Sequence, residues 1–210
     1  MNNRDFGRNF GLSTCFLTLE LIDMIGTGIS LLELRKSHYI LEKSLFAIDC
    51  ISISYYDDLL HTHRPAEGSD RFTKFSKHLT YVIEKMSHGF NRLGKAHGKG
   101  FFNYDTDPPT LWSGLKVFEK RNFNIPEQDI TDRLAFAAVI GALQTTEEEA
   151  ASIDPEIKAL IPPGFPLSRQ EALSWIDNYG ESRFATRMAE LAAAYGKRFA
   201  DPRSTPPSAE

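Results

Sequence analysis

Between Ile130 and Leu143 the sequence ITDRLAFAAVIGAL places apolar side chains all around a helix, so the segment has to be buried on most sides by other elements. Its alanines and Gly141 let neighbouring helices approach closely, which marks it as a central helix. Such a helix needs a chain long enough to wrap it. The 210 residues, 41% hydrophobic and 25% charged, suffice for one large domain or two small ones.

Most of the remaining apolar pattern is helical as well. Leu21, Ile25, Ile29 and Leu32 recur at steps of three and four between Leu17 and Leu34. Gly26 and Gly28 indicate there either a break between two short helices or a close helix crossing. Phe72, Phe75, Leu79, Val82, Ile83, Met86 and Phe90 define a further amphipathic helix, with Ser69 or Asp70 as its N-cap. The SRQE stretch has capping-box spacing between Ser168 and Glu171, with Leu173, Trp175 and Ile176 as the buried face and Gly180 as the stop. A last helix runs from about Ser182 to Tyr195, burying Phe184, Met188, Leu191 and Tyr195, with Gly196 as its cap. The stretch Tyr39–Leu60 begins like a helix, but CISISYY alternates like a strand, and the sequence leaves the two open. HRPAEGSD (63–70) and DTDPPT (105–110) read as loops, and DPRSTPPSAE (201–210) as a disordered tail.

A formal net charge of −4 leaves no excess positive field for nucleic acid or anionic lipid. No apolar run approaches the roughly 18 residues of a membrane span, and no secretory leader is expected at the N-terminus. Two cysteines, Cys15 and Cys50, suit a reducing, cytoplasmic setting better than a disulfide-stapled secreted one.

The chemistry-bearing motifs are incomplete. GKAHGKGFF, from Gly94, is one residue short of a phosphate loop, and Gly100 stands where the magnesium-binding hydroxyl belongs, so it reads as a tight turn anchored by Phe101 and Phe102. Gly26-Thr27-Gly28 starts a dinucleotide fingerprint that Leu31 breaks. Asp57, Asp58, His61 and His63 lack a recognised ligand spacing, and Glu147, Glu148 and Glu149 read as a solvated helix end. Trp112 and Trp175 read as packing residues. No catalytic, cofactor-binding or metal-binding residue is assigned.

Taken in order, GKAHGKGFFNYD, LWSGL, DRLAFAAVIGAL, PPGFP, LSWIDNYG and ELAAAYGKRF resemble the C-terminal domain of the 3-hydroxyacyl-CoA dehydrogenase family, especially the terminal copy in multifunctional fatty-acid oxidation proteins. The resemblance spans about Gly89 to Pro202 and is carried by Gly94, Gly98, Lys99, Gly100, Phe101, Trp112, Arg133, Gly164, Phe165, Pro166, Asp177 and Gly180. RDFGRNFG and ELIDMIG are similar, more distantly, to elements that open a copy of this helical domain, whereas residues 37–75 have no counterpart. Gln170 and Glu171 replace the family's paired glycines, and Glu149 its glycine after two glutamates. Asn91, in HGFNR, does not match the family's catalytic asparagine in spacing.

The resemblance implies a mainly α fold, a helical bundle of one and a half to two helical copies. It divides into a divergent half over 1–105, a clearer half over 106–200 and the tail. It also implies a covering, packing and dimerising role in fatty-acid β-oxidation, without hydride transfer by these residues. NAD and the catalytic His-Glu pair would belong to a Rossmann domain outside them. The expected partners are a second copy or a Rossmann-bearing chain, with acyl-CoA as a ligand and neither nucleic acid nor membrane.

Overall fold

A computed structural model describes residues 11–30, 39–62, 77–120, 125–161 and 163–204. It is mainly helical. Its described elements are α1 (Gly11–Thr27), α2 (Tyr39–Ile51), α3 (Ile53–Thr62), α4 (Lys77–Glu84), β1 (Phe102–Asn103), β2 (Thr110–Leu111), α5 (Glu127–Leu143), α6 (Glu147–Ala151), α7 (Pro155–Leu160), α8 (Arg169–Tyr179) and α9 (Glu181–Tyr195). Among the described residues no helix is long and apolar enough to cross a membrane. The chain forms two compact units, residues 18–124 with 159–162, and residues 1–17, 125–158 and 163–210.

In the first unit, α1 buries Leu21, Ile22, Met24 and Ile25 and stops at Gly28, whose φ of +110° suits a residue without Cβ. A Cβ on Gly26 would lie 2.3 Å from the carbonyl oxygen of His78, so α1 crosses the first turn of α4 at van der Waals distance. Of the two readings, the close crossing is realised at Gly26, inside α1, while α1 ends before Gly28 and Leu32 and Leu34 lie outside the described residues. The loop over 63–70, the expected cap at Ser69 or Asp70, and Phe72 and Phe75 lie outside the described residues. Leu79, Val82, Ile83 and Met86 are buried, and α4 continues into a wide π-type turn over Lys85–Gly89.

The strand-like CISISYY is helical. α2 and α3 are separated by Ser52 alone, at φ +93°, where Ile53 N–H and the Ser52 hydroxyl both donate to the Leu93 carbonyl at 2.9 Å. The alternation arises because Ile51 and Ile53 are buried on either side of a one-residue helix break. Pairing with a sheet plays no part in it. The described strands form a two-residue hairpin, β1 antiparallel to β2 with Phe102 opposite Leu111, and the DTDPPT segment makes its turn.

In the second unit α5 is buried from Ile130 along almost its whole length. Phe136 stacks on Phe184 at 5.1 Å and meets Trp175 and Tyr179 edge-on, and Ile140, Leu143, Ala172, Ile176, Met188, Leu191 and Phe199 complete the core. Each large apolar side chain enclosed there contributes about 1.5–3 kcal/mol. Leu173 departs from expectation: it is 40% exposed and Ala172 takes the inward position, because packing against α5 fixes the rotation of α8. Tyr195 is only half-buried.

The helix caps also differ from the expected scheme. Ser168 accepts from the Glu171 amide, but the Glu171 carboxylate accepts from Leu167 N–H at 2.7 Å, so the reciprocal bond is shifted by one residue. The complete capping box is Thr146 with Glu149, which opens α6, and Glu147 accepts from Gln170 N–H. Gly180 and Gly196, at φ +96° and +105°, end α8 and α9. Within the segment expected as a tail, Asp201–Ser204 form a turn in which Arg203 pairs with Asp201 and Glu181, while residues 205–210 lie outside the described residues.

Candidate functional site

The glycine-rich stretch after α4 folds back on itself. Gly94 N–H donates to Lys99 O at 2.9 Å, His97 N–H to Gly94 O, and Gly98 N–H to Lys95 O, closing a turn over Lys95–His97. Gly94 and Gly98 have φ of +118° and +72°, in the region that favours glycine. Beyond the turn, Phe101 and Phe102 are both buried, as expected of its anchors.

This loop binds an anion, and the anion belongs to the same chain. The carboxylate of Asp49, on α2, accepts from Phe101 N–H at 2.7 Å, Phe102 N–H at 2.8 Å and the Tyr104 hydroxyl at 2.9 Å. Asp49 is 1% exposed. Gly100 has to be glycine: a Cβ there would sit 2.0 Å from Asp49 Oδ1. Gly94 meets a similar limit, with the Asp49 carbonyl oxygen 2.7 Å from its would-be Cβ.

Arg92 supplies the complementary half. Its Nε donates to Gly100 O at 2.6 Å, and its Nη2 to Phe102 O at 2.9 Å and to Asn103 Oδ1 at 2.6 Å, while the guanidinium lies 4.4 Å over the Trp112 ring. Burial raises the Asp49 carboxyl to about 6, outweighing the two amides, the Tyr104 hydroxyl and Arg92, all of which favour its charge. Burial also raises the Tyr104 phenol, as does Asp49, and it lowers Arg92 against the pull of Asp49.

Neither glycine pair fits a dinucleotide. Gly26 and Gly28 close the C-terminal end of a helix, with Gly26 against the His78 backbone, whereas a pyrophosphate needs a helix N-terminus. The inward amides after Gly100 are already taken by Asp49.

Of the twelve residues that carry the resemblance, the first unit holds Gly94, Gly98, Lys99, Gly100, Phe101 and Trp112 around this cradle, with Lys99 exposed and Trp112 half-buried against Phe90. The second unit holds the other six. Arg133 is buried on α5 with its guanidinium 4.4 Å over the Tyr195 ring. Gly164 is exposed at φ +89°, Phe165 is half-buried, Pro166 is buried, Asp177 is exposed on α8, and Gly180 caps that helix. Asn91 sits at φ +49° beside Arg92.

Other singled-out groups are engaged in packing or pairing. Asp57 lies 3.1 Å from His88 Nε2 and accepts from the Ser87 hydroxyl, and among the described residues no three His, Cys, Asp or Glu side chains converge as metal ligands. His63 lies outside the described residues. Trp175 stacks on Tyr179 at 5.1 Å. In the second unit Arg187 bridges Asp129, Asp132 and Glu190, and Asp129 also accepts from the Tyr195 hydroxyl. Burial works against the charge on Asp129, but Tyr195 and Arg187 outweigh it and hold this carboxyl below the usual range, while Tyr195 is pushed up to about 12.

Sequence reading missed Asp49 and Arg92. The available signal was a lone acid within the apolar run LFAIDCI and a basic residue just before the glycines.

The chain is mainly helical, its glycine turn is satisfied from within by Asp49, and no family model matches it. Half of it is similar to parts of large multifunctional proteins. It is 34% identical over 123 residues to the fatty acid oxidation complex subunit alpha of Pseudomonas syringae pv. tomato, covering 50% of this chain and 16% of that protein. The subunit of the same name in Pseudomonas aeruginosa (strain LESB58) is 31% identical over 121 residues, 50% of this chain and 17% of that protein. The peroxisomal fatty acid beta-oxidation multifunctional protein MFP2 of Arabidopsis thaliana is 30% identical over 124 residues, 51% of this chain and 17% of that protein. The matched part is thus about a sixth of the length of these relatives.

Proposed function

We propose that this chain is a helical domain related to the C-terminal domain of 3-hydroxyacyl-CoA dehydrogenases, acting in fatty-acid β-oxidation as a packing and self-associating part rather than as the site of hydride transfer. The observation that carries the reading is the 30–34% identity of half the chain to fatty-acid oxidation proteins. The ordered motifs from GKAHGKGFFNYD to ELAAAYGKRF support the choice of domain within those proteins. The Asp49–Arg92 cradle agrees with a structural role for the first motif, since its polar groups face inward. NAD would be bound by a Rossmann domain elsewhere, on the same polypeptide or another, and the setting would be cytoplasmic.

The test is the purified chain with acetoacetyl-CoA and NADH, assayed for NADH oxidation, titrated calorimetrically with each compound separately, and sized in solution. The expected result is no turnover, no NADH binding, and a dimer or larger species. Robust turnover by the chain alone would overturn the proposal.

A second reading has its own support. Because the matched segment is only 16–17% of the relatives, other domains accompany it in those proteins. On that reading this chain completes an NAD-dependent 3-hydroxyacyl-CoA dehydrogenase with a Rossmann-bearing partner, and binding of acetoacetyl-CoA in the calorimeter without NADH binding would favour it. The same binding in a monomer that gains no activity from such a partner would point to a stand-alone acyl-CoA-binding module.

A further inference from the structure

We infer that the backbone around Phe101 and Phe102 is a receptor for a small planar carboxylate, and that Asp49 is its tethered, resident ligand. The site is built from donors that persist without Asp49: the amides of Phe101 and Phe102 and the hydroxyl of Tyr104, which converge on one carboxylate at 2.7, 2.8 and 2.9 Å. Arg92 keeps these amides in place by binding Gly100 O, Phe102 O and Asn103 Oδ1, and its charge favours an anion nearby. Gly100 leaves the space a carboxylate fills, since a Cβ there would meet both carboxylate oxygens, and Gly94 lets the loop approach the Asp49 backbone carbonyl. The two amides are buried and the Tyr104 hydroxyl partly so, and leaving a buried amide unpaired costs about 1–3 kcal/mol. That cost gives an external anion a reason to bind.

Asp49→Ala removes one carbon and two oxygens, the heavy atoms of formate. Formate is therefore the smallest carboxylate that can return to these donors, with its C–H toward the new Cβ and its carbon about 2 Å farther from that Cβ than the bonded Cγ was. Acetate carries one methyl group too many, and phosphate is tetrahedral and larger. The geometry predicts selectivity in the order formate, acetate, phosphate, unlike the general effect of salts on stability, in which phosphate would lead.

The experiment compares the thermal midpoints of wild type, Asp49→Ala and Asp49→Asn in sodium formate, acetate, phosphate and chloride at equal ionic strength, near neutral pH. At about ten times its dissociation constant, formate should raise the midpoint of Asp49→Ala by about 3–6 °C over chloride. It should leave wild type and Asp49→Asn unmoved, because both keep the space filled. If Asp49→Ala does not fold in chloride, the readout becomes its refolding yield, which formate should restore and chloride should not. Equal effects of formate and chloride on Asp49→Ala, or a stronger effect of phosphate than of formate, would overturn the inference. So would failure of formate to restore folding.

Discussion

Arg92 and Asp49 hold the same short stretch through complementary groups: the guanidinium donates to the carbonyls of Gly100 and Phe102, and the carboxylate accepts the amides of Phe101 and Phe102. Backbone that would be exposed in an open turn is thereby satisfied inside the protein. Arg92→Met strands two carbonyls and the Asn103 side-chain oxygen and removes the charge over Trp112. Stability should fall by about 2–4 kcal/mol in urea unfolding. Arg92→Lys should recover less than half, since an ammonium group cannot reproduce the planar fork. A loss below about 0.5 kcal/mol for Arg92→Met would show that the cradle contributes little.

Asp49 makes stability depend on pH with a defined sign. Its carboxyl titrates at about 6 in the folded protein against 3.8 for a free side chain, so the folded state holds the proton more tightly than the unfolded one. The contribution is fully present at low pH and is lost as pH rises from about 4 through about 6, by about 3 kcal/mol at most. The difference in unfolding free energy between wild type and Asp49→Asn should change over that window and be flat above about pH 7. A difference that stays constant across the window would refute the assignment to Asp49.

Gly100 and Asp49 should be energetically coupled. Gly100→Ala puts a methyl group 2.0 Å from Asp49 Oδ1, and the nearest atoms it meets all belong to that carboxylate. The substitution should therefore cost much less in an Asp49→Ala background, giving an interaction energy of about 1–3 kcal/mol in a double-mutant cycle. Gly98→Ala, at φ +72° with nothing within 4 Å, is the control. Its cost of about 1–2 kcal/mol should be backbone strain alone and additive with Asp49→Ala.

Arg187 ties α9 to two acids of α5, Asp129 and Asp132, and to Glu190 on its own helix. The group is partly solvated, so a discount for screening applies. Arg187→Met should cost about 1–2 kcal/mol, with the loss reduced when Asp129→Asn is present as well. Additivity of these two substitutions in thermal unfolding would show that the pair is not coupled.

Much of the helical layout was legible along the chain. The all-round apolar character of ITDRLAFAAVIGAL identified α5 as buried, because an element without a polar face has nowhere else to go. Gly180 and Gly196 announced the ends of α8 and α9, since each ends in a conformation that disfavours a Cβ. CISISYY stayed open between helix and strand because its period-two burial comes from a single helix break at Ser52, whose partner, Leu93, lies 41 residues away. Leu173 misled because helix rotation is set by the neighbouring helix as well as by the helix's own pattern.

Local sequence by itself determined that α5, α8 and α9 are helical, that Gly180 and Gly196 end the last two, and that GKAHGKG turns and is anchored by Phe101 and Phe102. These properties depend on hydrophobic period and backbone sterics, which act over a few residues. What fills the turn was decided only in three dimensions. Asp49 lies 52 residues before Phe101, and the requirement for an anion became visible once folding gathered two buried amides and a partly buried phenol around one carboxylate. Unpaired buried donors impose their cost through space, so a carboxylate distant in sequence and adjacent in the fold can meet it.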